Sequence, residues 1–217
     1  VTFDFDFFGP VVRRIPQKGN WLYLTFDDGP QTSTPEVLEV LEQLKISATF
    51  FLIGNSAKNN RSLIKEMKKL GHAFGNHSID HAYQPFFQSR DKILQWLSQS
   101  EELLASELGH ESVGFRPPAG VQTPPLHWAA NNLQLPLILW SRRFFDTVVK
   151  WTPSRALNSL DKTQSGDIIL LHDGQSQKRL PEFLLTLKIY IEEARKRGFE
   201  FETLNRKVCV EALKIDN

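Results

Sequence analysis

The stretch Leu22-Tyr23-Leu24-Thr25-Phe26, continued by Asp27-Asp28-Gly29-Pro30 and then by Thr34-Pro35-Glu36-Val37-Leu38-Glu39-Val40-Leu41, sets the fold class. Its first residues are leucine, aromatic and β-branched, the composition of a buried strand, and Gly29-Pro30 ends the run. Just beyond it the period changes. Thr34 reads as an N-cap with Pro35 at the first helical position, and Val37, Leu38, Leu41 and Leu44 recur on one face. A strand feeding directly into an amphipathic helix is half of a βαβ unit.

The rest of the chain repeats that pattern. Strand candidates follow at residues 48–53, 72–75, 113–115, 135–140, 168–171 and 200–203. Between them run helical stripes: Leu63, Ile64, Met67 and Leu70, closed by Gly71; Ile93, Leu97, Leu104 and Leu108, closed by Gly109; and Phe183, Leu184, Leu187, Ile191 and Ala194, closed by Gly198. Shorter helices are expected over 124–133 and 153–160. Strands separated by such helices need parallel, right-handed crossovers, which makes the protein α/β with helices covering the sheet. No glycine-rich phosphate loop follows an early strand, which disfavours an open dinucleotide-binding sheet. With 217 residues the chain is short of the ~250 usual for eight full repeats, so a distorted (β/α)7–8 barrel is expected. Residues 21–217 would form its one catalytic domain and residues 1–20 an N-terminal arm, with Phe3 to Phe8 packing.

Composition narrows the function classes. With 26 basic and 25 acidic side chains the net charge is +1, so nothing draws the whole chain to nucleic acid or an anionic membrane. No run reaches the ~18 apolar residues of a membrane span. A single cysteine, Cys209, excludes a thiolate metal cluster, so a metal site here must be built from His, Asp and Glu. Cys209 itself reads as a small packed side chain. The chain opens Val1-Thr2-Phe3-Asp4 without an initiator Met or a signal pattern, which decides nothing about compartment.

The polar residues needing explanation all follow strands, and in a parallel α/β fold every C-terminal strand end opens on one face. His77 and His81 stand at i and i+4; in a helix they would share a face and one metal ion, whereas on a surface turn they would be unrelated. Asp27 and Asp28 are adjacent carboxylates at the end of a buried strand, each needing a cation or donor. One could bind metal while the other takes a proton. His172 closes the apolar run Ile168-Ile169-Leu170-Leu171 and is a candidate acid or base, or a core histidine satisfied by a carbonyl. Arg116 could hold a carboxylate, or pair at the surface. His72, His110 and His127 read as structural.

Taken together, Thr25-Phe26-Asp27-Asp28-Gly29-Pro30, His77-Ser78-Ile79-Asp80-His81, Arg116-Pro117-Pro118-Ala119-Gly120 and Leu170-Leu171-His172-Asp173 resemble the motifs of the polysaccharide deacetylase family, the NodB-like carbohydrate esterases of family 4. Residues 48–54 and Gly71-His72 are similar to that family's second strand and the approach to its histidine motif. The resemblance runs from Leu22 to Thr203 and implies a deformed (β/α) barrel carrying one divalent metal, usually zinc, on Asp28, His77 and His81. It also implies hydrolysis of an N-acetyl group on a glycan. Asp27 would take a proton from water, Arg116 would hold that carboxylate, and His172 would protonate the leaving amine. Asp146 would orient His172, a backbone N–H near Ala119 would receive the oxyanion, and Pro118, Leu170 and Arg143 would border the substrate.

Two departures from the family pattern stand out. Ala119 occupies a place commonly aromatic, and the motif usually written Asp-x-x-Asp-Trp reads Arg143-Phe144-Phe145-Asp146-Thr147. An Arg143 aimed at His172 would weaken the acid. Trp151 is a possible replacement for the missing wall, or a core residue. The groove is therefore expected to be wider and more basic, with Arg142 and Arg143 meeting carboxylates of a substrate such as peptidoglycan. Alternatives are a chitin or chitooligosaccharide deacetylase, a related hydrolase of another small amide, and a catalytically weakened glycan-binding protein. The 84–89 and 175–178 loops look exposed and able to set such preferences. A wall polymer as substrate would put the enzyme outside the cytoplasm, and the protein is expected to be a monomer.

Overall fold

Among the described residues the strands of the sheet all pair parallel to their neighbours, as the strand–helix alternation requires. The computed structural model describes residues 8–215. Its strands are β1 (Trp21–Gly29), β2 (Thr49–Leu52), β3 (Ala73–Asn76), β4 (Arg142–Arg143), β5 (Ile168–His172) and β6 (Glu200–Phe201). The helices are α1 (Thr34–Gln43), α2 (Gly54–Asn59), α3 (Arg61–Lys69), α4 (Arg90–Leu108), α5 (Pro124–Asn132), α6 (Pro153–Leu160), α7 (Leu180–Lys196) and α8 (Arg206–Ile215).

The sheet runs β3-β2-β1-β5-β4, with β6 beside the start of β1. Single parallel rungs carry it further, from Asn76 to Phe115 and from Phe115 to Leu137. Since Leu137 leads along the chain into β4, the ring closes as a distorted (β/α) barrel. The strands expected at 113–115 and 135–140 are thus reduced to rungs, and the paired segment after Leu137 lies at Arg142–Arg143 instead. At the lower rim the N-terminal segment fills the gap. Val12 donates to Leu137 and accepts from Leu139, Ile15 donates to Gly166, and Val11, Val12 and Ile15 are buried. The packing expected for Phe3 to Phe7 lies outside the described residues. Phe8 is half-exposed, its ring tilted against His127.

Strand alternation divides the apolar residues in two. Leu22, Leu24, Phe26, Ile169 and Leu171 face outward onto α1, α3 and α7, in one cluster with Val37, Leu41, Met67 and Leu187. Tyr23, Phe51, Phe115, Ile168 and Leu170 fill the barrel with residues from α4 and α5. Leu170, buried here, presents no surface for a substrate. Some local expectations shift. Ser33 rather than Thr34 occupies the cap of α1, because the Thr34 hydroxyl bonds Asp173 and accepts from Gln31 N. Trp151 is buried against Phe144, Phe183 and Tyr190 and builds no groove wall. Cys209 is buried in α8, as its neighbours imply.

Candidate active site

β1 delivers both of its carboxylates to the barrel mouth by an irregularity at its end. Inward alternation runs Tyr23, Thr25, Asp27, so Asp28 ought to face outward. Between the rungs Phe26–Phe50 and Gly29–Leu52, however, β1 holds an extra residue, and Asp28 has φ 71°. A bulge of this kind re-aims a side chain, and here it turns Asp28 back toward the mouth beside Asp27. Gly29 is required next, since a Cβ there would lie 2.6 Å from Asp173 Oδ2.

The two histidines reach the same place without a helix. Residues 77–81 form an irregular turn with Ser78 at φ 80° and His81 at φ 61°, contrary to the helical arrangement considered from the i, i+4 spacing. Their ring centroids are nevertheless 5.2 Å apart. His77 donates from Nδ1 to the Arg116 carbonyl at 2.7 Å, which leaves the Nε2 lone pair facing the mouth. Nε2 of His77 and of His81 each lie 3.2 Å from Asp28 Oδ1. That oxygen is shielded from solvent and, among the described residues, meets no donor apart from these two rings. Burial favours its protonation, but the two imidazoles hold the Asp28 carboxyl well below the usual carboxylate range. One carboxylate oxygen and two imidazole nitrogens within 4.8 Å of one another form a donor set suited to a divalent ion such as zinc.

Arg116 is fully buried inside the barrel. Its Nη1 donates to Asp27 Oδ1 at 2.7 Å and to Thr25 Oγ1 at 2.8 Å. Nε and Nη2 donate to the carbonyls of Ile138 and Leu139, and the guanidinium lies 3.8 Å over the Phe51 ring. This is a core ion pair rather than a surface one. Burial pushes the Arg116 pKa down, and Asp27 opposes the shift.

Across the β1–β5 ladder Asp27 and His172 stand in register. Asp146 grips His172 twice, with Oδ1 3.0 Å from Nδ1 and Oδ2 accepting from the His172 backbone at 2.9 Å. Gln175 Nε2 also donates to Asp146 Oδ2, so Gln175 is a buried anchor and no exposed loop residue. Burial disfavours the imidazolium, but Asp146, with Asp27 and Asp28, overcomes it and raises His172 to about 9.

The turn Pro118–Gly120 borders the same mouth with Pro118 buried and Ala119 exposed at φ 53°. Gly120 and Val121 donate back to Pro117 and Pro118, and the Ala119 N–H makes neither bond. A Cβ on Gly120 would meet Trp140 at 2.8 Å, so the indole packs directly against this turn. Arg143 does not aim at His172. Its guanidinium lies 5.3 Å from the Trp140 ring and 3.8 Å from the Phe145 ring, with no hydrogen bond or ion pair among the described residues. Arg142, by contrast, is engaged with Asp167 and leaves Arg143 as the available cation. His72 accepts from Ala48 N, and burial lowers it to about 4, in keeping with a structural role.

The family model for polysaccharide deacetylase matches residues 14–138. The chain belongs to the polysaccharide deacetylase family. It is 32% identical over 200 residues to a peptidoglycan-N-acetylglucosamine deacetylase of Bacillus cereus, covering 91% of this chain and 92% of the relative. It is 37% identical over 169 residues to a chitooligosaccharide deacetylase of Azorhizobium caulinodans, covering 74% and 77%. Among solved structures, a family 4 acetyl xylan esterase from Clostridium thermocellum in complex with a cobalt ion superposes with TM-score 0.74 at 29% identity, covering 90% and 91%. These relatives support glycan deacetylation as the activity of this polysaccharide deacetylase domain.

Sequence reading did not single out three residues near the mouth, Thr25, Asn76 and Glu101. Thr25 supports Arg116 from the same inward row as Asp27, a role that strand alternation could have suggested. Glu101 and Asn76, behind the histidine turn, carried one signal: a carboxylate on the inward stripe of α4, between Leu97 and Leu104.

Proposed function

We propose that the protein is a metal-dependent N-deacetylase of peptidoglycan, acting on N-acetylglucosamine residues with zinc as the resident ion. The reading is carried by one arrangement: a carboxylate paired to a buried arginine, the Asp28–His77–His81 donor set, and a histidine backed by Asp146, all at the strand ends of one barrel. Held by Asp28, His77 and His81, a divalent ion would polarise the acetamide carbonyl and make its bound water more acidic. Asp27 takes a proton from the attacking water as the water oxygen joins the acetyl carbon. Arg116 keeps the Asp27 carboxylate in place throughout, and the Ala119 N–H is offered to the oxygen that gains charge. His172, protonated at neutral pH, then gives its proton to nitrogen as the C–N bond breaks. Acetate and a free amine leave, since an amide anion is too basic to depart unprotonated.

The substrate preference rests on the rim. Among the described residues, most of the large apolar side chains that remain exposed lie close in sequence to the catalytic loops: Tyr83 and Phe87 follow His81, and Phe145, Val148 and Val149 flank Asp146. Such clustering suits pyranose faces. The unpaired Arg143 guanidinium, held against Phe145 and Trp140, suits a carboxylate, which peptidoglycan carries on its lactyl and peptide substituents and chitin lacks. The Bacillus cereus relative, matched along nearly the whole of both chains, points the same way. The Azorhizobium relative supports a second reading, deacetylation of chitooligosaccharides. A wall polymer as substrate implies work outside the cytoplasm; the catalytic domain is taken as 21–217 and the protein as a monomer. Acetate release from peptidoglycan and from chitin oligomers should be compared at equal N-acetylglucosamine concentration. Clear preference for chitin overturns the peptidoglycan assignment, and no turnover of either favours a glycan-binding role.

A further inference from the structure

Glu101 takes no part in the proposed reaction. It lies on the inward side of α4, half-buried, with Oε1 accepting from Asn76 Nδ2 at 2.7 Å and the Ser112 hydroxyl 3.0 Å from each of its oxygens. Asn76 is fully buried and ends β3 immediately before His77. Its Oδ1 accepts from Ser78 N and from Ser100 Oγ, both at 2.8 Å. Ser78 Oγ in turn accepts from His81 N at 2.9 Å. A continuous relay therefore runs from a helix carboxylate to the backbone of the second histidine.

The relay works only with the Asn76 amide one way round. Ser78 N–H needs an acceptor, so Asn76 must present Oδ1 to the turn and Nδ2 away from it. An ionised carboxylate can only accept, and Glu101 therefore fixes which face of the amide points where. A neutral amide at position 101 could donate as well as accept and would let Asn76 flip, setting N–H against N–H at Ser78. The turn needs this restraint because Ser78 and His81 both occupy the left-handed backbone region, which residues other than glycine enter at a cost.

We propose that Glu101 is a positioning residue for the metal: by fixing the orientation of the Asn76 amide it holds the turn that presents His77 and His81, and so sets the affinity for the ion. This rests on Asp28, His77 and His81 being the metal donors. Cobalt(II) is a suitable probe because its visible spectrum reports ligand geometry. Titration of metal-free protein, with chelator competition, should show Glu101→Gln and Glu101→Leu binding cobalt about 10- to 100-fold more weakly, the range for residues that orient ligands. Their spectra should also change. Ser112→Ala removes the other donor to Glu101 but spares its bond to Asn76, and should keep cobalt affinity within about twofold of wild type. The rise in Tm on adding cobalt should shrink in both Glu101 variants, whereas a merely structural role lowers Tm equally with and without cobalt. Wild-type affinity and spectrum in Glu101→Gln overturn the proposal while leaving the metal site intact. Failure of the wild-type protein to bind cobalt overturns the metal reading and this proposal with it.

Discussion

Arg116 and Asp27 meet at 2.7 Å inside the barrel, both side chains buried. Removing either partner leaves a charge where water cannot reach it, a loss of about 3–5 kcal/mol for the pair in general. Arg116→Met should therefore destabilise the fold by that order in denaturant unfolding, with the midpoint moving and the slope unchanged. Asp27→Asn keeps shape and leaves Arg116 its bonds to Thr25, Ile138 and Leu139. The lost ion pair lowers its stability as well, but it should still fold and bind metal while acetate release falls by about 10²–10⁴, the usual contribution of a general base. A variant that deacetylates at wild-type rate would remove Asp27 from that role.

His172 supplies a pH signature. Its pKa is raised to about 9 mainly because Asp146 outweighs burial, with help from Asp27 and Asp28. In metal-free protein an NMR titration of the ring should give a midpoint near 9. A bound dication would oppose the Asp27 and Asp28 contributions but leave that of Asp146. Asp146→Asn should lower the midpoint toward the ordinary value of ~6.5, and the alkaline limb of kcat/KM should move down with it. The sign for stability follows: the folded pKa lies above the unfolded one, so the stabilisation is complete below ~6.5 and is lost as pH rises through about 9. A limb that does not move in Asp146→Asn would mean that His172 is not the acid.

Much of this site was legible because strand ends in a parallel barrel converge, so Asp27, Asp28, His77, Arg116 and His172 could be grouped from order alone. What escaped was set by local backbone or by long-range packing. The bulge that turns Asp28 inward and the turn that replaces a helix at 77–81 depend on residues at positive φ that are not glycine, and pattern reading has no mark for these. β4 consists of two arginines, of which Arg142 is consumed by Asp167 on the segment entering β5, so its charge hid a strand. α2 buries only Gly54 and Ala57 and shows no stripe. α8 does carry a stripe, with Cys209 and Ala212 buried, but it follows the last expected strand and so falls outside the strand–helix repeat.

Asp173 gives a test of the fold beneath the site. Its side chain is fully buried, Oδ2 accepts from the Thr34 hydroxyl, and Oδ1 has no partner. Burial raises its carboxyl to about 7, against a bond from Thr34 that lowers it. A folded pKa above the unfolded one means that the folded state holds the proton more tightly, so stability from this group declines as pH rises from about 4 to about 7. Asp173→Asn retains an acceptor for Thr34 and carries no charge. Its Tm should match wild type near pH 4 and exceed it at pH 8. A lower Tm at pH 8 would mean that the Asp173 carboxylate is compensated in the folded protein.

Arg143 gives a test of the proposed preference for peptidoglycan. Its guanidinium is held against Phe145 and Trp140 with its N–H groups unused, so it is oriented before any ligand arrives and little side-chain entropy remains to be lost. A partly exposed pair with a substrate carboxylate is worth ~1 kcal/mol, about fivefold in affinity. Arg143→Gln should therefore raise KM for peptidoglycan about fivefold with kcat little changed, because the contact is the same in the ground and transition states. The effect should shrink at high salt as screening weakens the pair. KM for uncharged chitin oligomers should stay as in wild type. An equal rise for both substrates would make Arg143 a support for the Phe145 and Trp140 rings and would remove charge from the account of specificity.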